Sequence, residues 1–418
     1  PVIPGPCGLY RSKDVLNNNV RDMYFDAVNE KKDSGYALTL GNMQLAEDRI
    51  LTISSIFNAD RDVKHALIKD CIFYFDPITD LNQLMKQRRR WLNGSIATCK
   101  FVLQKAAFGE WKTSLFRRMY VKGIFYIQAA QYITTAISPP ILILIAYRYS
   151  LQTMLSLAIP INVTFAPTTA PTSAPTSFVG TPSPTASIRR LQEDERELID
   201  PKRNRLIMGL TVFAQIVAWT IYLSFIVSSI TKKYVDIIRK ITLVFSWTIG
   251  LLILGATAVQ MYDVATGNIF EEEDSQGSQY GRFFIEFTIY LGILFFVQPF
   301  VLPLLYTRDW RTEWNLVKTF ASYFIYSIFY FTFFFVYAIS NIHDLSWGTR
   351  PSGANDPHAK NTNKLLPNTI KIAIFFLLVN IIIFFIPFSS SPIFLLIFII
   401  PAFLQIFFSL IYLAIDYS

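Results

Sequence analysis

The chain has 418 residues, of which 52% are hydrophobic and only 16% are charged, and its mean hydropathy is +0.36. Soluble domains usually carry about 25% charged residues, so this composition argues against an ordinary soluble protein. The formal net charge is +8, and many basic side chains lie before residue 123. A basic surface beside a bilayer could attract anionic lipid, nucleic acid or a phosphorylated substrate, and charge alone does not choose among them.

The first 110 residues are more polar than the rest. They combine short apolar runs, turn signals and frequent charges, which is typical of cytosolic α/β or helical material. The chain begins Pro-Val-Ile-Pro-Gly-Pro, with neither an initiating Met nor a signal peptide, so we expect it to be the C-terminal piece of a longer protein. Residues 95–120 mix aromatic and aliphatic residues with Lys and Arg. This mixture predicts amphipathic helices in the membrane interface, with an ordinary surface helix as the alternative.

Long apolar segments follow, each near the roughly 20 residues that a helix needs to span a bilayer. They lie at 121–147, 206–230, 237–261, 281–306, 314–340, 368–387 and 391–413. Ser138-Pro139-Pro140 interrupts the first segment. We expect a kink there, because proline lacks a backbone donor and clashes with the preceding turn.

The connections between these segments predict the topology. Residues 231–240 carry four basic side chains against one acidic side chain, which favours the cytoplasm, whereas the acidic residues 262–280 suit the outside. Residues 148–205 contain a Ser/Thr/Pro-rich tract and the sequon that begins at Asn162, which predicts an external loop, either glycosylated or simply solvated. Residues 1–120 are then cytosolic. Seven full spans would place residues 341–367 outside, but their weak excess of positive charge favours the cytoplasm, so six and seven spans both stay open.

The first motif that could carry chemistry is Glu47-Asp48-Arg49. The apolar residues after it have helical spacing, which places both acids near a helix N-terminus, where the helix dipole favours the ionised carboxylate. A carboxylate held ionised in a cleft can take a proton from a sugar hydroxyl as a general base. An acidic first turn without catalytic function is the common alternative.

The second motif is Gln87-Arg88-Arg89-Arg90-Trp91. On a helix, Gln87, Arg90 and Trp91 share one face, because residues three and four apart are neighbours. A guanidinium group binds phosphate oxygens through paired, charge-assisted hydrogen bonds, and an indole face can stack on a sugar ring or a cation. A solvated basic face with a Trp at the membrane interface is the alternative.

These motifs occur in an order that resembles the processive family 2 glycosyltransferases. A Pro-Gly loop (Val2, Ile3, Pro4, Gly5, Pro6) comes first, then Glu47-Asp48-Arg49, then Gln87 to Trp91, then interfacial helices and spans. Residues 46–49 and 87–95 are similar to chitin synthases in particular. A second signature agrees with this, since Ser346, Trp347, Gly348, Thr349 and Arg350 resemble the Trp-Gly-Thr motif of chitin synthases.

The resemblance implies a fold and a set of site residues. Residues 1–94 would be the second half of an α/β, GT-A-like glycosyltransferase domain, followed by interfacial helices at 95–120 and an all-α transmembrane bundle up to residue 413. Asp48 would be the general base that activates the acceptor hydroxyl. The substrate-binding residues would be Glu47, Arg49, Gln87, Arg88, Arg90 and Trp91. Residues 2–6 would form a gating loop, and the role of residues 346–350 is not defined.

The resemblance also implies partners. We expect a UDP-GlcNAc donor, a growing β-1,4-linked chitin chain, the lipid bilayer of the plasma membrane and a homodimer, with no nucleic acid. The family's divalent cation, Mg²⁺ or Mn²⁺, is bound through an Asp-x-Asp motif, whose ligands we expect upstream of this chain.

Two other functions remain open from sequence. Hyaluronan- and cellulose-type synthases use the same architecture with a different sugar. A multi-span transporter would place ionisable residues inside its spans. Among the apolar segments Glu286 is the main such residue, which disfavours a transporter.

Overall fold

The computed structural model describes residues 9–28, 38–59, 78–108, 115–151, 154–155, 201–265, 310–311, 314–315, 317–319, 326, 328–346, 357–385 and 404. The α-helices are α1 (Ser12–Val15), α2 (Asn18–Val28), α3 (Leu38–Gln44), α4 (Glu47–Asn58), α5 (Leu81–Phe108), α6 (Leu115–Ile143), α7 (Pro201–Thr231), α8 (Val235–Ala265), α9 (Phe334–Ser340) and α10 (Pro357–Phe385). A π-helical segment, Leu144–Ser150, continues α6, and another, Phe329–Phe333, leads into α9.

The α/β fold predicted for residues 1–94 is wrong for the part of this region that the structure describes. Residues 9–28, 38–59 and 78–94 form α1 to α4 and the first half of α5, and they include no strand. The reason is the spacing of the apolar positions, which is helical rather than alternating. In α4, Ile50, Ile53 and Phe57 lie on one face and are each at most 2% exposed. Residues 60–77 lie outside the described residues.

One hydrophobic core joins the polar region to the first membrane segment. Ala27 of α2, Met43 of α3, Phe57 of α4 and Phe101 of α5 belong to a single buried cluster that also contains Val121 of α6. Burying one large apolar side chain contributes about 1.5–3 kcal/mol. The helices that carry the two polar motifs are therefore packed directly on the beginning of the first long apolar helix.

Three described helices are long and apolar enough to cross a membrane, as judged by length and composition: Arg118–Tyr147, Asn204–Thr231 and Lys364–Phe385. They correspond to the apolar segments predicted at 121–147, 206–230 and 368–387. The segment predicted at 237–261 is helical as part of α8. The segments at 281–306 and 391–413 lie almost wholly outside the described residues, and 314–340 is described in part.

The two prolines inside α6 leave two carbonyl groups without their helical donors, and side chains replace those donors. Pro139 cannot donate to the oxygen of Thr135, which instead accepts the hydroxyl hydrogen of Ser138 at 2.8 Å. Pro140 cannot donate to the oxygen of Ala136, which accepts a hydrogen bond from the Asn380 amide at 3.3 Å. The α-helix therefore continues past both prolines and changes to a π-helix only at Leu144.

A contact between distant segments constrains the topology. Lys232, just after α7, donates a hydrogen bond from its ammonium group to the side-chain oxygen of Asn341, just after α9. A hydrogen bond cannot bridge a hydrocarbon layer about 30 Å thick, so both residues lie on the same side of the membrane. The chain between them crosses an even number of times. Residues 266–309 lie outside the described residues, so the number of spans between Lys232 and Asn341 stays a prediction.

The chain divides into two compact units. The first comprises residues 1–142, 221–247 and 272–418 and contains both polar motifs and residues 341–346. The second comprises residues 143–220 and 248–271. Within this second unit Gly255 faces the thioether of Met154, whose atoms would lie 3.6–3.7 Å from a Cβ at that position, an ordinary packing distance.

We expect Asn380→Ala to destabilise the protein by about 0.6–2 kcal/mol, because a polar group within the membrane loses its donor. Pro140→Ala provides the matched background, since an alanine at position 140 has an N–H that can bind the oxygen of Ala136 within the helix. Asn380→Ala should cost less in that background. Thermal unfolding of the four detergent-purified proteins measures this difference, and an equal loss in both backgrounds would contradict the assigned role of Asn380.

Candidate active site

The Glu47-Asp48-Arg49 motif lies at the corner between α3 and α4. Helix α4 begins at Glu47, so the prediction that both acids lie in a helical first turn is confirmed. A carboxylate oxygen of Asp48 accepts the backbone N–H of Arg49 at 2.9 Å, and the backbone oxygen of Asp48 accepts the hydroxyl of Thr52 at 2.8 Å. Glu47 and Asp48 are both half-buried. Their carboxylates are therefore held at a helix N-terminus and are still partly accessible.

Arg49 connects this corner to α5. One nitrogen of its guanidinium group donates to the backbone oxygen of Trp91 at 2.6 Å and also to the hydroxyl of Ser95. Ser95 in turn donates to the same oxygen of Trp91 at 2.7 Å. The two motifs predicted from sequence, separated by some forty residues of chain, therefore meet through Arg49 and the second motif's Trp91.

Gly94 makes this close approach possible. A Cβ at position 94 would lie 2.7 Å from the Cβ of Ala46 and 3.4 Å from the backbone oxygen of Asn42. The first distance is shorter than real Cβ contacts, and Ala46 has no flexible end that could move aside. Gly94 is therefore required for the α3–α4 corner to sit against α5.

The Gln87–Trp91 motif lies within α5, as its spacing predicts. Gln87, Arg88 and Arg90 are half-buried, and Trp91 is 39% exposed. The guanidinium carbon of Arg88 lies 4.4 Å from the ring centre of Trp91 and 5.3 Å from that of Tyr330, both within cation–π range. Arg88 thus stacks on Trp91, so this arginine supports the indole ring rather than projecting alone into solvent.

The middle arginine of the motif, Arg89, was not among the predicted site residues, and it is the most deeply buried. It is 1% exposed, forms a salt bridge with Asp344, and donates to the backbone oxygen of Ser346 at 2.5 Å. A pattern in the sequence is consistent with the burial of Arg89. Met85, Arg89 and Asn93 follow one another at four-residue intervals, and all three are at most 1% exposed. They form one buried face of α5, distinct from the face that carries Gln87 and Arg90.

Residues 341–346, here called the 341–346 segment, are fixed by contacts from several helices. Asn93 of α5 donates to the oxygen of Ala338, just before the segment, at 2.9 Å, and Asn42 of α3 donates to the oxygen of Ile342 at 3.0 Å. Leu345 is fully buried against Gly41, where an added Cβ would collide with the leucine side chain. The segment therefore packs on the same helices that hold the two polar motifs.

Two titratable side chains of the segment have shifted pKa values. Burial by itself would raise the pKa of Asp344, but Arg89, hydrogen bonds from Ser346 and the charge of Lys232 together hold this pKa below its usual value. Burial and the nearby positive charges of Lys232 and Arg89 lower the pKa of His343 to about 4, although Asp344 opposes this. At neutral pH, Asp344 is therefore ionised and His343 is neutral.

Of the remaining predicted residues, the structure describes only Ser346. Ser346 is half-buried and in contact with Arg89. Trp347, Gly348, Thr349 and Arg350, the Pro-Gly loop at residues 2–6, and Asn162 lie outside the described residues. The predictions for them stay predictions.

The cation site also stays a prediction. Among the residues that the structure describes, no group of three or more His, Cys, Asp or Glu side chains could hold a metal ion. The cation ligands were expected upstream of this chain, but the chain itself contains an Asp-x-Asp, Asp60-Arg61-Asp62. It follows α4 and lies outside the described ranges.

We expect Gly94→Ala to destabilise the protein by about 1–3 kcal/mol and to lower its activity, because the added methyl group overpacks the contact with Ala46. The double variant Gly94→Ala with Ala46→Gly should recover much of both losses. Gly123→Ala is the matched control, since nothing lies within 4 Å of a Cβ there. Thermal unfolding and activity of the purified variants measure this, and a neutral Gly94→Ala would contradict the close packing.

Comparisons with known proteins agree with the motifs. Residues 1–106 match the chitin synthase-like glycosyltransferase domain. The chain is 31% identical over 128 residues to chitin synthase 1 of Phytophthora sojae. The aligned region covers 30% of this chain and 14% of that protein. It is 24% identical over 377 residues to chitin synthase 1 of Saccharomyces cerevisiae, covering 87% of this chain and 28% of that protein.

The chain thus spans less than a third of the length of either relative. The domain match covers the two motifs that Arg49 joins, and the alignment with the Saccharomyces protein extends over most of the membrane region. Residues 1–106 are thus similar to the chitin synthase-like glycosyltransferase domain, and the chain as a whole is similar to part of the two chitin synthases.

Proposed function

We propose that the protein containing this chain transfers GlcNAc from UDP-GlcNAc to the end of a growing β-1,4-linked chitin chain and extrudes the polymer through its membrane spans. The observation that carries this proposal is the contact of Arg49 with Trp91 and Ser95. It sets the carboxylates of the α4 N-terminus beside the helix that carries Gln87, Arg90 and Trp91. A base, an anion-binding group and an aromatic platform together suit glycosyl transfer from a nucleotide sugar.

In the proposed reaction, Asp48 takes the proton from the acceptor 4-hydroxyl group. The acceptor oxygen forms a bond to C1 of GlcNAc as the bond from C1 to the UDP oxygen breaks, which inverts the configuration at C1. Gln87 and Arg90 stabilise the negative charge that develops on the departing diphosphate. Arg49 holds the base in place through its contacts with α5, and Trp91, supported by Arg88, stacks on the acceptor sugar.

A feature of Glu47 supports a role in substrate binding. Among the described residues, one of its carboxylate oxygens is buried and has no hydrogen-bond partner. Leaving such an atom unpaired costs free energy, and a sugar hydroxyl would satisfy it. Glu47 would then orient the sugar while Asp48 takes the proton.

The cellular setting is part of the same proposal. The polar region and residues 232–240 would face the cytosol, where UDP-GlcNAc is available, and the spans would lie in the plasma membrane. A divalent cation would bind the donor diphosphate through carboxylates, and homodimerisation is expected. The chitin synthase match favours chitin over hyaluronan or cellulose as the product.

The test is transfer of radiolabelled GlcNAc from UDP-GlcNAc by the full-length protein, with chitinase digestion of the product. Asp48→Asn should reduce polymer formation about 10²–10⁴-fold, the usual contribution of a general base, while the affinity for UDP stays nearly unchanged. Asp26→Asn removes an exposed carboxylate from α2 and serves as the control. If the Asp48→Asn protein polymerises at more than a tenth of the normal rate, Asp48 is not the base, and if the wild-type product resists chitinase, the polymer is not chitin.

A further inference from the structure

The Arg89–Asp344 salt bridge joins two parts of the chain that are far apart in sequence. Arg89 lies in α5, and the Ser346 oxygen that it also binds is 257 residues away. The Arg89 side chain is 1% exposed and that of Asp344 is 22% exposed. The backbone N–H of Ser346 donates to the Asp344 carboxylate at 3.1 Å, so the carboxylate is held from two directions.

The energetics make this pair mutually dependent. A buried guanidinium without its carboxylate would be an uncompensated charge. Removing one partner of a buried pair is far more costly than breaking an exposed one. The 341–346 segment must therefore stay against α5 for Arg89 to remain buried.

Because Arg89 lies within the Gln87–Trp91 motif, its attachment to the 341–346 segment also restrains the residues of that motif. Arg88 and Arg90 are its sequence neighbours, and each residue advances around a helix by about 100°. Asn93, one turn further on the same buried face, donates to the oxygen of Ala338. Two polar anchors on the back of α5 thus oppose rotation of the helix about its own axis, and with it any turning of Gln87, Arg90 and Trp91.

We propose that Arg89 and Asp344 are a positioning pair, which sets the rotation of α5 so that Arg90 and Trp91 face the substrate. The pair acts through α5 and does not itself touch the substrate. This inference rests on the proposed function, but it also predicts a conformational effect that can be measured without activity.

The experiment compares Asp344→Asn with Asp236→Asn in the full-length protein. Asp236 is the control for an exposed contact, since its side chain is 75% exposed, forms a 3.8 Å salt bridge with Arg239 and accepts a 3.3 Å hydrogen bond from Asn82 near the start of α5. Polymer synthesis is normalised to the number of UDP-binding sites, which corrects for protein that fails to fold. We expect Asp344→Asn to lower the turnover per UDP-binding site at least tenfold, while Asp236→Asn changes it less than twofold.

A double substitution and a labelling measurement complete the test. The double variant Arg89→Asp with Asp344→Arg restores an ion pair of reversed polarity. Its turnover per UDP-binding site should be at least threefold higher than that of Asp344→Asn. A cysteine placed by Gln87→Cys should react with a thiol reagent at a rate that Asp344→Asn changes at least threefold and Asp236→Asn does not. Unchanged turnover per UDP-binding site together with unchanged labelling would overturn the positioning role. Changed labelling would support the positioning pair, and a wild-type protein that makes no polymer would reject the proposed function separately.

Discussion

A buried arginine in the middle of α5 is the constraint around which this part of the chain is organised. A buried guanidinium needs a carboxylate beside it, and for Arg89 that carboxylate, Asp344, comes from beyond α9. Asn93 binds the end of α9, and Asn42 and Leu345 add contacts that hold the 341–346 segment against α3. Gln87, Arg90 and Trp91 lie elsewhere on the surface of α5, where Gln87 and Arg90 are half-buried and Trp91 is exposed.

The other side of this arrangement is the α3–α4 corner. Gly94 lets Ala46 approach α5, and Arg49 then reaches the oxygen of Trp91. The acids of the first motif are thereby fixed relative to the aromatic residue of the second. Polar backbone groups within the membrane also need hydrogen-bond partners. In α6, Ser138 and Asn380 replace the backbone donors that Pro139 and Pro140 lack.

Local patterns allowed part of this structure to be predicted from sequence. The spacing of Ile50, Ile53 and Phe57 indicated a helix after the acids, and the Gln87–Trp91 motif lies on a helix as expected. Three of the predicted spans correspond to helices that could cross a membrane. Each of these features depends on residues within a few turns of one another, so the sequence contains the whole signal.

The errors have a different origin. The α/β assignment came from a resemblance to a whole family domain, whereas short apolar runs separated by charges do not distinguish short helices from strands. Arg89 was overlooked because its neighbours in a basic run are equally charged and its partner, Asp344, is distant in sequence. Likewise, nothing local to Asn380 indicates that it serves Ala136, because that need arises only when α10 packs beside α6.

The central claim is that the 341–346 segment lies against the helices that carry the two motifs, and disulfide cross-linking tests it most directly. Cysteines would replace Asn42 and Ile342, whose side-chain nitrogen and backbone oxygen lie 3.0 Å apart, in the full-length protein freed of other cysteines and kept in its native membranes. We predict that mild oxidation links this pair efficiently, whereas a cysteine at the exposed Arg21 of α2 paired with the one at 342 does not link. Equal cross-linking of both pairs, or none at 42 and 342, would contradict the account.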